Sequence, residues 1–183
     1  MEYNKKDPAF FTQQIYLIGT YDEDGKARFA PISWVSYTWG NPPCLVVSIW
    51  GTKQTKENIA RTGVLSATLV TPDLLPFAEQ CNRGTYKESL WKQLSYTVEN
   101  GTAENVPLLQ GAAYSFECTI LQTVEIGETV TYFAEIQNVN LSDAIKEMDF
   151  YDLRKINPVL YAGHYFTVGE HLGEIGDFSK EVE

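Results

Sequence analysis

An ammonium, a hydroxyl and a carboxamide stand close together in Lys53-Gln-Thr55-Lys-Glu-Asn58-Ile59. At the start of a helix these donors suit a phosphate, because unpaired N–H groups and the positive end of the helix dipole already favour an anion there. Asn58 follows Thr55 by three positions and so lies one turn up the same face. A plain capped amphipathic helix with a solvated lysine accounts for the same residues, and spacing alone leaves both readings open. A second segment, Phe29-Ala30-Pro31-Ile32-Ser33-Trp34, ends a hairpin. A small residue and a proline at a strand end let a flat ring approach the backbone. Ser33 and nearby N–H groups then address the ring's polar edge, and Trp34 covers its face or edge. The alternative is a strand leaving its sheet with a core tryptophan.

Other chemistries find little support. His164 and His171 have no cluster of cysteines or carboxylates at ligand spacing, so no metal site is expected. There is no Gly-x-Ser-x-Gly elbow and no Gly-rich phosphate loop. No acid–base residue is assigned, which fits a protein whose cofactor carries the chemistry. Cys44, Cys81 and Cys118 are odd in number and far apart, which argues for reduced thiols and against a disulfide framework.

The elements that must position these residues read mainly as strands. Ile15–Tyr21 and Ala27–Ile32 flank the turn Asp22-Glu-Asp-Gly25 as a hairpin. Cys44–Trp50 is an apolar strand. A helix over about 54–61 follows, with Thr52 or Thr55 as cap and Gly63 ending it. Val64–Val70 is the next strand. Thr71-Pro-Asp opens a second helix to about Cys81, with Thr as cap and Pro first. Residues 82–111 are expected to wrap the surface. Tyr114–Glu125 and Thr129–Asn140 form long strands around Ile126-Gly-Glu. Ser142 caps a short helix to about Met148, and Val159-Leu-Tyr is strand-like. Many strands with few short helices predict an antiparallel β-barrel rather than a doubly wound fold.

The 183 residues predict a single domain over 1–183 with a C-terminal arm from about 157 to 183. A formal net charge of -10 argues against nucleic acid or an anionic membrane as partner. The start of the chain lacks a signal-peptide pattern and no apolar run reaches transmembrane length, so the cytoplasm is the expected compartment.

Asp22-x-x-Gly25, Phe29-Ala-Pro-Ile-Ser33-Trp34, Asn41-Pro-Pro43, Leu-Val-Val-Ser48-Ile, Lys53-x-Thr55-x-x-Asn58-Ile59 and Thr62-Gly63 occur in this order. The set resembles the flavin-reductase-like FMN-binding family, especially its flavoredoxin branch. The likeness is good over residues 8 to 72 and continues weakly through Tyr114–Cys118 and the tail. It implies a split β-barrel that works as a homodimer, with FMN near the subunit interface. It implies isoalloxazine contacts from Ala30, Pro31, Ile32, Ser33, Trp34 and Val35, and from Ser48, Ile49 and Trp50. It implies phosphate contacts from Lys53, Thr55 and Asn58. A further FMN-contacting lysine is matched best by Lys87 in Tyr86-Lys-Glu, with Lys92 as its rival, and the usual Asp-Lys-Phe pattern is not kept. The implied activity is hydride transfer from NAD(P)H to FMN and onward electron transfer, with a redox protein as a further partner. The alternatives are a non-enzymatic flavoredoxin-type carrier and a flavin-free split-barrel binding module.

Overall fold

The computed structural model describes residues 12–82, 97–147 and 152–172. A seven-stranded antiparallel sheet organises them. It is built from β2 (Tyr16–Tyr21), β3 (Ala27–Ile32), β4 (Val35–Thr38), β5 (Cys44–Trp50), β6 (Val64–Leu69), β9 (Tyr114–Ile126) and β10 (Thr129–Leu141), in the order β3-β2-β6-β9-β10-β5-β4. The sheet curls without closing and leaves β3 and β4 as its edges, as in a split barrel. Two smaller sheets accompany it. One pairs β7 (Val98–Asn100) with β8 (Pro107–Leu109), and the other joins β1 (Gln13–Gln14), β11 (Leu160–Tyr161) and β12 (Tyr165–Phe166).

Alternation along the strands sends one set of side chains into the barrel. Ile18, Leu45, Val47, Ile49, Leu65, Phe116 and Tyr132 meet there, and α1 (Gln54–Thr62) adds Ile59 from outside the sheet. Each fully buried aliphatic side chain contributes about 1.5–3 kcal/mol. A second cluster forms on the opposite face of β2 and β3. Leu17 and Phe29 pack there against Leu74, Phe77 of α2 (Leu75–Asn82) and Val159. Two short helices, α3 (Asp143–Lys146) and α4 (Leu153–Ile156), add Ile145 and Ile156 to a small third cluster.

The first hairpin forms as its sequence predicts. Gly25 takes φ 74°, a left-handed conformation that glycine adopts without steric cost. The Asp22 carboxylate accepts the N–H groups of Asp24 and Lys26 and the guanidinium of Arg28. Burial opposes ionisation of Asp22, but these donors together hold its carboxyl below the usual range.

Some boundaries differ from the sequence reading. The second helix starts at Leu75, after a turn in which Leu74 N–H and Leu75 N–H both donate to Thr71 O. The Thr71 hydroxyl donates to Asp73 Oδ1 at 2.5 Å, and the turn is closed by the Thr71 carbonyl. Pro76 falls in the first helical turn, where its missing N–H leaves no bond unmade. Ser142 precedes α3 as expected but makes no side-chain cap bond. The segment expected to wrap the surface instead buries Val106, Leu108 and Leu109. Its apolar run Val106-Pro-Leu-Leu109 fills the space over β2 and β6, and Ser66 Oγ donates to Pro107 O at 2.5 Å.

The same segment is clamped at Glu117, which is 0 % exposed and lies on the opposite side of β9 from Phe116 and Cys118. Its carboxylate accepts Ala103 N–H and Glu104 N–H at 2.8 Å, Asn138 Nδ2 at 2.9 Å and Asn140 Nδ2 at 2.8 Å. Burial opposes ionisation, but these bonds, led by Asn140 and Asn138, hold the carboxyl down at about 2. Gly101 fits under this clamp because a Cβ there would stand 2.5 Å from Glu117 Oε2 and 2.4 Å from Glu104 O.

Candidate functional site

The end of β5 leads directly into α1. Gly51 turns the chain with φ 74°, and Gly51 N–H donates to Glu128 O at 3.2 Å. Lys56 Nζ then donates to both Gly51 O and Glu128 O at 2.9 Å, fixing the first turn of α1 to the β9–β10 turn. Lys53 is the N-cap residue, with extended backbone and no side-chain cap bond. This corrects the expectation that Thr52 or Thr55 caps the helix: Lys53 holds that position, and its side chain has no acceptor oxygen. Gly63 closes α1 at φ 72°, as predicted.

An uncapped N-terminus leaves its first N–H groups without intrahelical partners. Lys53 is exposed beside them, and Thr55 is buried in the first turn. No hydrogen bond among the described residues engages the Lys53 ammonium or the Thr55 hydroxyl. Asn58 stands apart from this pair. It is 4 % exposed, and its amide donates to the buried Thr20 Oγ1 at 2.9 Å, tying α1 to β2. The structure therefore brings Lys53 and Thr55 to the helix start and directs one Asn58 amide hydrogen inward.

The ring-side residues also fall into distinct places. Ser48 N–H donates to Trp34 O at 2.9 Å, and Val35 pairs with Val47, so the stretch after β3 is stitched to β5. Val124, Thr131 and Ser48 form one cross-strand row, and Ile126, Thr129 and Trp50 the next. These rows lie on the outer face of the sheet, since the alternate residues Val47, Ile49, Val130 and Tyr132 face the core. Trp50 is 67 % exposed and Ile126 76 %. Ser48 Oγ and Thr131 Oγ1 share a hydrogen bond of 2.8 Å. Ile49 sends its side chain into the barrel, leaving only its main chain for any ligand on the outer face. Ile32 and Val35 also pack against the barrel core. Ala30 and Pro31 lie on edge strand β3 opposite Ile18 and Leu17, and Ser33 lines a neighbouring cleft. Lys87 and its rival Lys92 lie outside the described residues.

Several structural partners carry no sequence motif. Thr20 holds Asn58, and Lys56 holds the hairpin turn. Tyr37 and Trp39 edge an apolar groove of about 470 Å³ that Tyr114 and Phe116 also line. Only the aromatic content signals that groove beforehand. All three cysteines are free, and burial pushes the Cys81 thiol up to about 12. Among the described residues, no group of three or more His, Cys, Asp or Glu side chains is placed to hold a metal ion. Nor is any described helix long and apolar enough to cross a membrane.

A family model described as a flavin reductase like domain matches residues 9–169. The chain belongs to the flavin-reductase-like family. Its fold is close to that of flavoredoxin of Desulfovibrio vulgaris (Miyazaki F), with TM-score 0.84 and 21% identity over 98% of this chain and 100% of that one. Flavoredoxin from Methanosarcina acetivorans gives TM-score 0.84 and 22% identity, covering 98% and 97% of the two chains. A split barrel domain protein from Shewanella frigidimarina gives TM-score 0.80 and 22% identity, covering 95% and 98%. No curated protein sequence matches. The mainly β architecture of this flavin-reductase-like chain is thus that of a split barrel.

Proposed function

We propose that the chain binds FMN and acts as an NAD(P)H-dependent flavin reductase. The observation that carries this reading is the continuity of two surfaces. An outer sheet face with Ser48 and Trp50, joined to Trp34 by the Ser48 N–H to Trp34 O bond, runs through Gly51 into an uncapped helix start with Lys53 and Thr55. A planar apolar ring joined to a phosphate needs such a pair of neighbours. The donor set fits the anion, since N–H groups, an ammonium and a hydroxyl all offer hydrogens, and the first-turn carboxylate of Glu57 is exposed to solvent. Family membership supports the same ligand.

FMN held there by Lys53, Thr55 and the first amides of α1 would supply the redox chemistry, a hydride-accepting ring for NAD(P)H. The chain orients and neutralises. Lys53 and the first amides of α1 offset the phosphate charge, and Thr55 adds a neutral donor. Trp34 and Trp50 give the ring an apolar surface, and main-chain groups between Ala30 and Val35 address its polar edge. Asn58 holds the helix start at the correct height over β2. The apolar outer face, with Trp50, Val124 and Ile126 exposed, supports a homodimer that covers it.

Titration of the full chain with FMN and riboflavin tests this reading. FMN is expected to bind and raise Tm by mass action. Hydrogen bonds to charged groups contribute about 1.5–3 kcal/mol, so Thr55→Ala weakens FMN binding by roughly ten- to a hundredfold. Lys53→Ala acts similarly, with a stronger dependence on salt. Riboflavin, which lacks the phosphate, is much less affected by either change. Equal losses for both flavins remove the phosphate cradle. Stopped-flow oxidation of NADH and NADPH by the loaded protein then tests the reductase step, and a flavin that neither reduces points to a carrier.

A further inference from the structure

Gly51, Thr52 and Lys53 link β5 to α1, and one residue, Lys56, holds both ends of that link. Lys56 N–H donates to Lys53 O at 3.0 Å, and Lys56 Nζ donates to Gly51 O at 2.9 Å. Nζ also donates to Glu128 O at 2.9 Å, and the same oxygen accepts Gly51 N–H. The link, the helix start and the β9–β10 turn are thereby closed into one ring of hydrogen bonds.

The reach of Lys56 follows from its place in the helix. It is the third residue of α1, and helical side chains lean toward the N-terminus. An ammonium has three donors, and here two of them go to main-chain oxygens. Glu57 and Glu125 line the same surface groove, yet no described carboxylate forms an ion pair with Lys56. Gly51 needs such a hold, because a glycine enters its φ of 74° without cost and leaves it as easily. We propose that Lys56 is a positioning residue for phosphate recognition. It sets the path of residues 51–53, and with it the aim of Lys53 and of the first α1 amides, acting through the link rather than on the anion. The inference rests on the flavin reading above. The two lysines then differ in role: exposed Lys53 brings a movable charge, and Lys56 brings geometry.

FMN and riboflavin are titrated into the wild-type chain and into Lys56→Met, whose stem has no donor. Lys56 belongs to none of the three core clusters, so the variant is expected to keep its fold, as read by circular dichroism. Its Kd for FMN is expected to rise roughly tenfold through lost preorganisation, and its Kd for riboflavin to stay within about twofold. The FMN loss is expected to persist at about 1 M salt, where the screening length is ~3 Å. In the flavin-free chain, hydrogen exchange of the Gly51 amide is expected to quicken about tenfold in Lys56→Met, since local opening sets that rate. Equal losses for the two flavins, or unchanged FMN binding, overturn the proposal. A loss that vanishes at high salt overturns it too, because Lys56 then acts as a charge. So does unchanged Gly51 exchange. A wild-type chain that takes up no flavin removes the flavin reading, and the Gly51 exchange still decides whether Lys56 fixes the link.

Discussion

Replacing Glu117 by glutamine tests whether a buried carboxylate holds the 101–106 segment onto the sheet. The carboxyl titrates at about 2 against an ordinary value of 4.5. One unit corresponds to about 1.4 kcal/mol, so the depression of roughly 2.5 units stabilises the folded chain by about 3 kcal/mol at neutral pH. The folded value lies below the unfolded one. The stabilisation is therefore complete above about 4.5 and is lost as pH falls toward 2 and below. Glutamine keeps one acceptor but turns an NH₂ group toward the donors of its site, so Glu117→Gln loses a comparable amount at pH 7. With a urea slope of about 2 kcal/mol/M, the midpoint falls by ~1.5 M. The assay is urea unfolding of both chains from pH 7 to pH 2.5. Their midpoints are expected to converge below pH 4.5, because the other carboxylates titrate alike in both. Parallel curves over that interval would refute the argument that this carboxylate is preferentially ionised in the fold.

Asn58→Ala leaves the buried Thr20 hydroxyl without its donor and costs about 1–3 kcal/mol of stability, read by urea unfolding. FMN and riboflavin are then weakened alike; a selective loss of FMN with unchanged stability shows instead that Asn58 serves the phosphate. Gly101→Ala drives a Cβ against Glu104 O and the Glu117 carboxylate, so Tm falls by an amount corresponding to at least ~1 kcal/mol. Light scattering of the FMN-loaded chain is expected to give a dimer mass. Ile126→Glu, on the outer face, is expected to give a monomer with intact circular dichroism; a dimer after that change places the interface elsewhere.

Local signals were readable where neighbouring residues decide the structure. Gly25 and Asp22 specify the first turn, and β3 runs from Ala27 to Ile32 as its composition indicates. The pair β9–β10 follows from two long strand-like runs around Gly127. The short strand β4 escaped notice because Val35-Ser-Tyr-Thr38 gains its order from pairing with β5. Val106–Leu109 was missed because Pro107 reads as a break, yet it opens β8, where a missing donor is tolerated. In the candidate site, the helix start beside Lys53 and Thr55 was legible, but its lack of a side-chain cap was not, because Thr52 and Thr55 both read as caps. The inward bond of Asn58 was not, because Thr20 lies 38 positions away. Tyr165 and Glu79, 86 positions apart, meet only through the packing of the arm on α2.

The open sheet has a consequence for how copies of the chain associate in solution. An unpaired strand edge is a template for adding a strand from another molecule. Here both edges are poor templates. Strand β3 carries Pro31, which has no N–H to donate, and Arg28, whose guanidinium is held by Asp22. Strand β4 is only four residues long and is followed by the Asn41-Pro42-Pro43 turn, with two further missing donors. Runaway edge-to-edge growth into β-rich aggregates is disfavoured at both ends, even though the barrel is split. Association is thereby channelled to the side-chain faces, where shape and polarity select a partner more strictly than a ladder of main-chain bonds does.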